Sequence, residues 1–305
     1  MGTPQAAVPS FGRLIRDGHE IAAVYTQPDR PSGRGNKITY SPVKEFAIAN
    51  NLAVNQPTRI KTPEALEVFK SHDADVAVVV AYGRILPAGF LDAFPLGAIN
   101  VHFSLLPKYR GAAPVNWAIV NGETETGVTT MQMDAGLDTG DILLQKMTAI
   151  GPMETAVDLM TRLSIIGGDL LSETLADLNL LEPIPQDQDL ATFAPIMKRE
   201  DGVINWQISA KEISDRVRGF QPFPTAFTYL QETKLTIWRA FPAELRLDDH
   251  SAGEIVEAHG DDLRVVCGDG SILKIDEIQP EGKRRMGIRD FLNGFKPQTG
   301  IVLGT

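Results

Sequence analysis

Residues 75–81 read DVAVVVA. A β-branched run with no polar alternation suits a strand covered on both faces, the position of a central strand in a parallel sheet. Short apolar runs of the same kind recur at 21–25 (IAAVY) and 97–102 (GAINVH). Between them the pattern is helical. Residues 41–50 open on Ser41 as a cap with Pro42 in the first turn, and a second helix over 63–71 is entered through Thr62. Strands alternating with helices restrict this half to an α/β fold with a mostly parallel sheet.

Further along, a helix is expected over 112–121, strands over 127–133 and 142–149, and a long helix over 155–180. Pro183, Pro185 and Pro195 then break the pattern, so 182–207 reads as a linker. Beyond it come a helix over 210–219 and five short strands (225–230, 234–239, 253–257, 263–267 and 272–278). A helix over 288–295 closes the chain. Short strands at close spacing with Gly turns suggest a small β barrel. The expected division is a first domain over 1–181, the linker over 182–207 and a second domain over 208–305, consistent with a chain of 305 residues.

The single Cys267 forms no internal disulfide, and the five His show no zinc-ligand spacing. No run of 18 apolar residues and no signal-peptide core is present, so a soluble, cytoplasmic chain with no membrane partner is expected. A net charge of −10 argues against coating nucleic acid by bulk charge and leaves room for local basic patches. No coiled coil or apolar patch points to a protein partner.

The opening is unusual. The chain begins Met1-Gly2-Thr3-Pro4 and turns helical, whereas a doubly wound sheet begins with a strand and a G-T-P turn follows one. Either the first central strand is lacking or the true start lies several residues upstream, and the second account is the expected one. Without that strand the sheet is expected to carry an open slot and the chain to be destabilised.

Residues 99–141 carry the densest chemical signal: INVHFSLLPKYRGAAPVNW, then GVTTMQMDAGLDTGD. Asn100 and His102 are two apart at a strand end and so share a face. The carboxyl end of a parallel strand is where open α/β sheets place ligands. Asp138 follows in a Gly-flanked loop. A His exchanges protons near neutral pH, an Asp orients the imidazole, and an Asn amide donates to a developing oxyanion. No Ser or Cys stands as a nucleophile, so the trio suggests direct acyl transfer or hydrolysis without a covalent enzyme intermediate.

The whole string resembles the folate-dependent formyltransferase family. The shared signature is N-x-H, then S-L-L-P, a basic-aromatic-R-G-A-x-P turn, and G-V-T…D-x-G-x-D-T-G-D. The matching positions are Asn100 and His102, Ser104 to Pro107, Lys108 to Pro114, and Asp134 to Asp141. The resemblance implies a Rossmann-like catalytic domain and formyl transfer from 10-formyltetrahydrofolate to an amine, with no metal required for the chemistry. It implies His102 as proton acceptor, Asn100 as oxyanion donor and Asp138 as the orienting carboxylate. Ser104, Leu105, Leu106 and Pro107 would line the folate site, with Tyr82, Gly83 and Ile85 as its second wall. In the family a V-F-x-G-T-P sequence supplies the sheet's central strand, where this chain starts at Met1.

Members of that family act on glycinamide ribonucleotide, on amino sugars or on initiator methionyl-tRNA. Two features resemble the last branch. One is the loop 25–40 (YTQPDRPSGRGNKITY), with Arg30, Arg34 and Lys37 expected to meet tRNA. The other is the C-terminal third, where 198–206 (KREDGVINW) and 216–227 (RVRGFQPFPTAF) are similar to a barrel of the oligonucleotide-binding type. Arg218 is expected there as a phosphate contact. The alternative acceptor is a nucleotide-linked amino sugar. A module that binds nucleic acid without catalysis fits poorly with the intact Asn100, His102 and Asp138.

Overall fold

The computed structural model describes residues 1–32 and 37–304. The run at 75–81 forms the strand Ala77–Val79, which pairs in parallel with Ala98–His102 so that Val79 lies opposite Asn100. The sheet continues antiparallel through Glu125–Gln132 and Ile142–Ala149. The nine residues between those last two strands are too few for a crossover helix, so the chain doubles back instead. A second parallel pair joins Val24–Tyr25 to Val54–Asn55. Ser41 and Thr62 cap their helices as expected, their hydroxyls accepting from Lys44 N and Ala65 N.

Between the two parallel pairs lie Met1 and Gly2. Gly2 N donates to Tyr25 O at 2.9 Å, Val80 N donates to Met1 O at 2.9 Å, and the Met1 amine donates to Val78 O at 2.7 Å. Gly2 must approach closely, because a Cβ there would lie 2.7 Å from Ala7 Cβ and 2.9 Å from Val80 O. A cavity of about 340 Å³ lies beside these two residues. Its lining includes Ser10, Ala22, Val24, Val76 and Val78. The Ser10 hydroxyl, buried at its edge, has no hydrogen-bond partner among the described residues.

The chain divides into two compact units. Met1–Pro114, Glu125–Ala149 and Met160–Ala194 make the first, and Val115–Thr124, Ile150–Leu159 and the residues from Pro195 onward make the second. The first unit packs Phe69 against Phe90 and Phe94, with ring centroids 4.5 and 4.8 Å apart, over Ala77, Val79 and Ala98. Residues 182–194, expected to be linker, are in use within this unit. Ile184 bridges Ile142, and Phe193–Ala194 pairs in parallel with Arg110–Gly111.

The second unit holds a six-stranded antiparallel sheet. Ala226–Leu230, Thr233–Arg246, Ser271–Pro280, Asp262–Val266 and Ile255–His259 lie in that order, with Met286–Gly287 beside Ser271–Pro280. The hydrogen-bonded path does not return to its start, so the expected closed barrel is an open sheet. The helix Ala210–Gly219 carries a capping box between Ser209 and Glu212. It contributes Ala210, Ile213 and Val217 to a core with Ile237, Leu273 and Phe291.

Candidate active site

The strands Ala77–Val79 and Ala98–His102 run in parallel, so the loops after Val80 and after His102 leave from the same end of the sheet. Asn100 donates from Nδ2 to Val79 O at 3.1 Å. A carbonyl only accepts, which fixes the orientation of the amide. Among the described residues, Asn100 Oδ1 is then a buried acceptor without a donor. Buried polar atoms are normally paired, so an orphan at a strand end marks where a ligand group belongs.

His102 is buried, and its Nε2 lies 3.0 Å from Tyr109 O. By the same reasoning Nε2 is the donor, which leaves Nδ1 as the nitrogen that can exchange a proton with a substrate. Nδ1 faces Asp138, with Oδ2 at 3.7 Å. That oxygen also accepts from Gly111 N at 2.8 Å. Asp138 has a left-handed backbone, φ 52°. Gly111 is obligatory for a related reason: at φ 119° its Cβ would lie 2.7 Å from Ala194 O across the strand pair. The structure thus brings His102 and Asp138 together, with Asn100 two residues before His102 on the same strand.

The expected folate-site residues divide into two groups. Ser104 is fully buried, and its hydroxyl donates to Lys108 O at 2.6 Å. Leu106 packs with Met131 and Ile142, and Tyr82 lies in the aromatic core. These three are internal, whereas Gly83 and Ile85 are exposed and Leu105 and Pro107 half-buried. The Tyr82 hydroxyl is buried without a partner among the described residues, and burial raises its pKa. Its carbonyl accepts from Thr3 Oγ1 at 3.1 Å and from Gln27 Nε2 at 3.0 Å. The loop after Val80 is therefore tied to the G-T-P turn.

Of the expected tRNA contacts, Arg30 is exposed, in a short strand Arg30–Ser32 that pairs with Lys37–Thr39. Arg34 lies outside the described residues, and Lys37 is described only in its backbone. Arg218, expected as a phosphate contact, is largely buried. It is 9% exposed and bonds Asp215 at 2.9 Å, with Nη1 donating to Gly151 O and Glu154 O. Its charge is spent inside the second unit.

Sequence reasoning missed three groups bonded to His102 or to Asp138: Tyr109 O, Gly111 N and Gln186, whose Nε2 donates to Asp138 O at 2.9 Å. The first two are backbone atoms, which no side-chain pattern reveals. Gln186 sat in the Pro-rich segment read as linker. Among the described residues no group of three His, Cys, Asp or Glu is placed to hold a metal ion, and no helix is long and apolar enough to cross a membrane.

Comparison with known proteins shows the family. The formyl transferase family model matches residues 2–175, and the formyl transferase C-terminal domain model matches residues 196–296. A methionyl-tRNA formyltransferase of Acetivibrio thermocellus is 46% identical over 100% of this chain and 98% of its own. One from Solibacter usitatus is 49% identical over 100% and 97%. Among solved structures, an N-formyltransferase of Helicobacter canadensis, in complex with folinic acid and dTDP-3-aminofucose, has a TM-score of 0.66. It is 21% identical, over 90% of this chain and 96% of that one. A methionyl-tRNA formyltransferase from Clostridium thermocellum has a TM-score of 0.51 at 24% identity, over 65% and 86%. Both structures share the fold. The site lies within the first matched segment and the open sheet within the second, and on those matches the chain belongs to the formyl transferase family.

Proposed function

We propose that this chain transfers a formyl group from 10-formyltetrahydrofolate to the amino group of initiator methionyl-tRNA, in the cytoplasm. The acceptor rests on one observation: relatives named methionyl-tRNA formyltransferase match it essentially end to end at 44–49% identity. The N-formyltransferase in complex with dTDP-3-aminofucose shares the fold at 21% identity, which is less support for a sugar acceptor.

The geometry supports a direct transfer. Asn100 Oδ1, an acceptor without a donor, suits an N–H of the incoming amine, and the second Nδ2 hydrogen suits the formyl oxygen as it becomes an oxyanion. One such donor is worth about 3–4 kcal/mol in the transition state. The new C–N bond forms as the formyl carbon becomes tetrahedral, and its bond to the donor nitrogen then breaks. His102 Nδ1 takes the proton released by the attacking amine and is placed to return it to the departing nitrogen. Asp138, facing that nitrogen, stabilises the imidazolium formed between the two steps. Gly83, Ile85, Leu105 and Pro107 are the accessible candidates to hold the folate donor, with Ser104, Leu106 and Tyr82 as the packed layer behind them. Arg30, Arg34 and Lys37 are candidates to hold the tRNA.

The test is His102→Ala in a transfer assay with both substrates. Loss of the base is expected to lower kcat about 10²–10⁴-fold while tRNA binding is retained. Unchanged turnover would remove His102 from the chemistry.

A further inference from the structure

Gln186 is 6% exposed, and its amide is fully used. Oε1 accepts from Arg110 Nε at 3.0 Å and from Arg110 Nη2 at 2.6 Å. Nε2 donates to Asp138 O at 2.9 Å and to Gly140 O at 2.7 Å. A guanidinium only donates and carbonyls only accept, so the amide has one possible orientation. Arg110, 3% exposed, sends Nη1 to Gln188 Oε1 at 2.7 Å, and Gln188 Nε2 turns back to Gln186 O at 3.1 Å. Among the described residues no carboxylate lies within ion-pair distance of Arg110. The guanidinium is held by amide oxygens alone.

The two carbonyls that Gln186 grips belong to Asp138 itself and to Gly140. Asp138 is the residue with the left-handed backbone, a setting that a non-glycine residue keeps only when its surroundings hold it there. Its carboxylate is fixed from the other side by Gly111 N, the residue that follows Arg110. Arg110–Gly111 and Gln186 thus grip one loop at its carboxylate and at two of its carbonyls.

We propose that Gln186, backed by Arg110, is a positioning residue that sets the backbone around Asp138 and so holds the carboxylate against His102 Nδ1. This rests on the reading of His102 and Asp138 given above. Gln186 touches no reacting atom. It acts through Asp138, and a displacement of about 1 Å at a catalytic group is enough to cost about 100-fold in rate.

The test uses the full chain, with Met-tRNA and 10-formyltetrahydrofolate as substrates and a melting curve for each variant. Gln186→Glu keeps an oxygen acceptor for Arg110 but replaces both N–H donors by an oxygen facing two carbonyls. It is expected to stay folded and to lose kcat about 10- to 100-fold, with KM for both substrates within about 2-fold. Gln186→Leu strands the Arg110 guanidinium and is expected to lower Tm as well. Adding Arg110→Met to Gln186→Leu removes that orphan and is expected to recover part of the lost Tm, the carbonyls of Asp138 and Gly140 staying without their donor, and none of the lost kcat. A folded Gln186→Glu with wild-type kcat, or kcat returning together with Tm in the double variant, would overturn the proposal. Asp138→Asn separates the two failures. If it keeps wild-type kcat, the reading of Asp138 falls. If it loses kcat while Gln186→Glu does not, only the positioning role falls.

Discussion

At His102 the two ring nitrogens have different tasks, because a backbone carbonyl at 3.0 Å from Nε2 leaves only Nδ1 to accept a proton. At Met1 burial does the opposite of what a base needs. In a chain that begins there, it pushes the α-amino group down from its ordinary 8.0 to about 5. The unfolded chain takes up that proton below about pH 8, the folded chain only below about pH 5. Between these values the unfolded state binds more protons, so stability falls as pH falls from 8 towards 5. The slope from this group is about 1.4 kcal/mol per pH unit. Melting curves at pH 8 and pH 6 check it, and acetylation of the amine is expected to flatten the difference. Arg218 is expected to matter for stability and not for tRNA. Arg218→Ala bares two carbonyls and costs Asp215 a partner, on the order of 3 kcal/mol. Tm should fall by several degrees, with the KM for tRNA unchanged in the folded fraction.

Among the elements, the segment Met1–Gly2 leaves most to be gained. The strand Val24–Tyr25 pairs on one side with Val54–Asn55, and Ala77–Val79 on one side with Ala98–His102. The cavity of about 340 Å³ lies where their other edges face. A chain extended upstream of Met1 by five or six apolar, β-branched residues would bury two or three large side chains there, at about 1.5–3 kcal/mol each. Its Tm is expected to rise by about 5–10 °C, and the pH slope of the buried amine is expected to vanish with the amine. An unchanged Tm would show that the slot does not accept a strand. The same region shows what was legible in the sequence. The run at 75–81, the caps at Ser41 and Thr62 and the G-T-P turn announced the parallel half of the sheet, because periodicity and capping are local. The hairpin through Arg30–Ser32 went unseen, since its Pro and Gly content reads as loop. The Pro-rich segment hid Phe193–Ala194 and Gln186 for a related reason: their pairing partners, Arg110–Gly111 and Asp138, are 48 to 83 residues away in sequence. The open edge of the second sheet was equally invisible, because closure depends on strand order and not on strand count.

For the whole molecule, the trio of Asn100, His102 and Asp138 was readable as residues, while the supports that set its geometry were not. What the molecule does with that trio depends on the acceptor. The most direct measurement is formyl transfer from 10-formyltetrahydrofolate to three acceptors in parallel: charged initiator Met-tRNA, a nucleotide-linked amino sugar and glycinamide ribonucleotide. Formylation of Met-tRNA alone is the expected result. Formylation of a small acceptor with Met-tRNA left untouched would keep the site and contradict the proposed substrate.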